Sequence, residues 1–64
     1  MSRAELHQQR AAEAEAEARR LLADRDAMGP RWLPWVASEL YRLSPAPYAA
    51  MVRRELERLS ANNP

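Results

Sequence analysis

Few side chains in this 64-residue chain could act on a bond, hold a metal ion or grip a charged partner. His7 is the only histidine and there is no cysteine, so neither a thiolate nucleophile nor a structural zinc set can be assembled. The serines are Ser2, Ser38, Ser44 and Ser60, and a hydrolytic triad would need one of them beside a base and an orienting acid. Ser2 and Ser44 are better placed to cap helices. A single glycine cannot build a phosphate-cradling loop. Carboxylate pairs occur at Glu13/Glu17 and Asp24/Asp26, yet a general acid needs burial to raise its pKa, and so short a helical chain offers little cavity. Arg3 and Ala11 stand four residues to either side of His7, so its helical neighbours do not chelate. The chain is expected to be no enzyme and to use no metal or cofactor.

Charge gives no stronger lead. Ten arginines against nine acids leave a formal charge of +1, a weak pull toward nucleic acid or acidic lipid. Residues 1–28 carry five Arg and six acids, and residues 29–64 carry five Arg and three Glu, so the halves are −1 and +2. Arg42, Arg53, Arg54 and Arg58 could hold phosphates, although Glu55 and Glu57 lie among them. The segments 36–40, 43–46 and 52–54 have the outline of a helix-turn-helix. Tyr41-Arg42 stands where that motif wants glycine, and Pro47, Tyr48, Ala49 and Ala50 fill positions meant for base-reading side chains. A DNA-binding regulator using those four arginines is the second functional reading, and a purely structural homo-oligomer is the third. Two like-charged pairs, Glu13/Glu17 and Arg54/Arg58, match in pitch and are expected to face each other, within a chain or between copies.

The aromatic segment is the best lead. Trp32, Trp35 and Tyr41, with Met28, crowd a short stretch. Trp32, Leu33, Val36, Leu40 and Leu43 recur on one side of a helix, while Trp35 lies about 100° from Val36. One tryptophan is expected in the core and the other at a surface, where Trp and Tyr flanked by Arg make the composition of interface hot spots. The candidate partner-binding set is Trp32, Trp35 and Tyr41 as anchors, with Arg31 and Arg42 at the rim. The first functional reading is therefore a small protein-binding adaptor or inhibitor. A membrane role is not expected, because no Arg-rich polar face accompanies the aromatics.

Helices must position all of these groups. Val36 and Val52 are the only β-branched residues, too few for a sheet, so the fold class is all-α. Ser2 and Glu5 have capping-box spacing, and nothing breaks the following helix until Gly29-Pro30, which predicts a helix over 2–28 about 40 Å long. A second helix follows over 31–43. Ser44 as N-cap and Pro45 at the first helical position open a third over 45–60, and 61–64 is a frayed tail. Its stripe is Ala49, Val52, Leu56 and Leu59.

The expected architecture is one domain over 1–64, a long N-terminal helix followed by a short helical hairpin. A core this small is marginal, since a chain of this size hides only about 60% of its unfolded surface. The seam of the long helix, His7, Ala11, Ala14, Ala18, Leu21, Arg25 and Met28, allows close approach but little apolar burial. A homodimer paired along Ala11, Ala14, Ala18 and Leu21 is expected to supply the cover. The polar N-terminus resembles no secretory leader and no apolar run reaches about 18 residues, so a cytoplasmic setting is expected. Arginine at every basic position points to a GC-rich bacterial or phage genome.

Overall fold

Ser2 opens the first helix with a capping box: its hydroxyl accepts from the Glu5 amide at 3.1 Å, and the Glu5 carboxylate accepts from the Ser2 amide at 3.4 Å. In this computed structural model, which describes residues 2–62, α1 spans Arg3–Ala23. The alternating Ala and Glu of residues 11–18 are helical throughout, as two strong helix formers should be. The helix expected over 2–28 is bent. At Asp24 the amide bonds back to the carbonyls of Leu21 and Leu22, and α2, Arg25–Met28, follows. Gly29 then takes φ +58° and ψ −131°, the mirror of the extended region that glycine enters without a steric penalty, and starts a 3-10 turn over Gly29–Arg31.

Helix α3 is Trp32–Arg42 and α4 is Ala46–Asn62. The cap of α4 falls one residue later than the sequence indicates. The Pro45 carbonyl accepts from the Tyr48 and Ala49 amides at 3.0 and 3.2 Å, so Pro45 rather than Ser44 holds the N-cap position. Pro47 then sits in the first turn, where an amide has no intrahelical partner to lose. Ala61 and Asn62, expected in the tail, are the last residues of α4, while 63 and 64 lie outside the described residues. No strand occurs among the described residues, so the chain is all-α.

The helices run up, down and up. Arg10 lies over the Tyr48 ring at 6.0 Å and Glu15 meets Arg58, so α1 and α4 are parallel. Trp32 and Leu33 lie level with Glu57 and Ser60, and Tyr41 lies level with Ala46, so α3 is antiparallel to α4. The main packing is α1 against α4. Ala14, Ala18 and Leu21 are fully covered, and Val52, Leu56 and Leu59 of α4 complete the same buried cluster. The small residues of α1 let the branched residues of α4 come close, which is how a seam poor in apolar volume still closes.

The proposed dimer seam is therefore used inside the chain. Ala14, Ala18 and Leu21 have no exposed surface to offer a second copy, and Ala11 is half-buried at the upper limit of an N-terminal arm, residues 2–10, exposed throughout. The charge stripes also meet in a different register. Arg58 Nη2 donates to Glu15 Oε1 at 2.8 Å across the two helices, whereas Glu13 pairs with Arg10 and Glu17 with Arg20 on their own helix. Arg54 Nε reaches only the Ala50 carbonyl, at 3.5 Å.

Trp32 closes the top of the bundle. Its indole Nε1–H donates to the Leu21 carbonyl at 2.8 Å in a buried setting, while the ring packs with Val36 into the cluster. Trp32→Phe should keep the fold but lower stability by about 1–2 kcal/mol, from the lost hydrogen bond and ring volume. A thermal melt followed by circular dichroism reads this directly, and an unchanged midpoint would refute the role given to the indole. Arg58→Glu should lower the midpoint and a further Glu15→Arg should restore part of it. Adding Glu13→Arg instead should restore nothing.

Candidate functional site

The residues singled out for partner binding do not converge. Trp32 is 7% exposed and belongs to the core, so it cannot anchor a partner. Trp35 is half-buried against the same core, and Tyr41 is 92% exposed. Six positions separate them on α3, about 120° around the helix, so one side chain cannot join the other on a single face. Arg31 and Arg42 are exposed, and Arg42 Nη1 lies 3.7 Å from Glu39. Coulombic attraction links Glu39 to Arg20 of α1, which places this side of α3 next to α1.

The other side of α3 is different. Leu33, expected in the buried stripe, is 70% exposed. Core-facing Val36 lies about 60° from it, and α4 stops short of covering that sector. Two adjoining hollows, which share Leu40 and Arg53, make an open groove between α3 and α4: Leu33 borders the upper one, and Ala37 and Tyr41 face Ala46, Ala49 and Ala50 across the lower. Leu40 and Leu56 lie in its floor. Glu57 and Ser60 close the upper end, and the lower end is a shallow bay of alanines. Arg53 Nε is 3.5 Å from Glu57 Oε1, so the α4 rim carries one cation with one carboxylate.

This groove was partly visible in the sequence. Trp32, Leu33, Val36, Ala37, Leu40 and Tyr41 span about half the circumference of a short helix, a wider apolar arc than one neighbour covers. The alanines of α4 gave no signal, because an exposed alanine on a helix is ordinary.

The arginines of the nucleic-acid reading are scattered. Arg53, Arg54 and Arg58 spread over about 140° of α4. Arg53 is held by Glu57, Arg58 by Glu55 and Glu15, and Arg42 by Glu39. His7 is exposed and borders a shallow hollow with Ala11, Met51, Arg54 and Glu55. Among the described residues no three of His, Asp or Glu gather as a metal ion would require, and no helix is long and apolar enough to cross a membrane. No family model, curated protein or solved structure matches the chain.

The ion pairs bias a few titrations. A hydrogen bond from Arg20 holds the Glu17 carboxyl below its ordinary range, and one from Arg58 does the same for Glu55. Burial, with Glu17 and Glu13 nearby, pushes the Tyr48 phenol up. Carboxyls depressed by folding contribute stability above their unfolded pKa and lose it as pH falls through the folded value. A phenol raised by folding contributes below its unfolded pKa and loses it as pH rises. The thermal midpoint should thus hold near neutrality, drop below about pH 4 and drop again above about pH 10. Arg58→Gln should shrink the acid drop and Tyr48→Phe the alkaline one, both readable from melts across pH.

Proposed function

We propose that the chain is a non-catalytic protein-binding module, an adaptor or an inhibitor, whose working surface is the groove between α3 and α4. The observation that carries this reading is the exposure of Leu33 and Tyr41 on one wall of an apolar groove in a chain with very little apolar surface to spare. Eight residues make up the buried cluster, and a large side chain left outside it forgoes roughly 1.5–3 kcal/mol of burial. Groove dimensions set by two helices suit a third, amphipathic helix laid along them, which is a recurrent mode of peptide recognition. Leu33, Tyr41 and Leu40 supply the apolar anchors, Ala37, Ala46, Ala49 and Ala50 permit close approach, and Arg53 with Glu57 sets the rim.

The working surface moves from the Trp35 side of α3 to the Leu33 side. Trp35, Arg31 and Arg42 then serve as a separate, smaller polar-aromatic edge. Affinity capture from a lysate of the source organism tests the reading, with native chain and an Ala50→Glu variant compared before and after nuclease treatment. A stoichiometric polypeptide, another protein or further copies of the chain, should survive nuclease and be lost with Ala50→Glu. Material removed by nuclease would favour nucleic acid instead, and equal capture by the variant would place the surface elsewhere.

A further inference from the structure

We draw no further inference here: the strongest candidate, the open groove between α3 and α4 bordered by Leu33, Tyr41 and Ala50, belongs to the surface already described, and nothing in the structure shows what covers it.

Discussion

The bundle depends on how the chain turns back after α1. At the end of α1 the Leu21 carbonyl, which takes the Asp24 amide at 3.4 Å, also accepts the Trp32 indole N–H at 2.8 Å. That bond satisfies a polar group in a buried place and fixes the start of α3 against the end of α1. The bend at Asp24 and the glycine at positive φ bring Trp32 within reach. From there α3 runs back beside α4, and the short connection 43–45 returns the chain into α4, which packs along α1. The indole bond thus pins the turn, eleven residues beyond its acceptor, while the parallel contact of α1 and α4 holds most of the core.

The core that results is small but uses its materials well. Ala14 and Ala18 contribute almost no apolar volume, and their value lies in letting Val52, Leu56 and Leu59 approach the α1 backbone. The same economy explains why the ion pairs sit outside. Every salt bridge among the described residues is solvated, and all but the Glu15–Arg58 pair lie within one helix. Such pairs favour helix locally and add little to tertiary stability. Glu15–Arg58 is the pair that joins two helices, linking one turn of α4 to one turn of α1.

Local signals were legible where one residue type has one physical use. The Ser2 capping box, the glycine stop and the Val52, Leu56, Leu59 stripe follow from spacing alone. The burial of the alanine seam was legible as a need for close cover, but not the identity of the cover. An alanine stripe is equally ready for its own chain or for a twin, and only the turn made by Trp32 settles which arrives first. Leu33 was misplaced for a related reason. Helical periodicity gives the direction of a side chain, while exposure depends on how much of the circumference the neighbouring helices cover. The charge stripes failed in register because Glu15, lying between Glu13 and Glu17, points to α4 where its neighbours point along α1.

The groove follows from these same constraints. Seating Trp32 and Val36 toward α1 rotates α3 so that Leu33, Ala37 and Tyr41 face outward beside α4. Each of the three longer helices has only two neighbours, and α3 carries apolar residues over a wider arc than both neighbours fill. Replacing Leu33 and Tyr41 by polar residues would cost the isolated chain little, since neither supports the core. Their exposure, which the core does not require, is the ground on which the proposed binding surface rests.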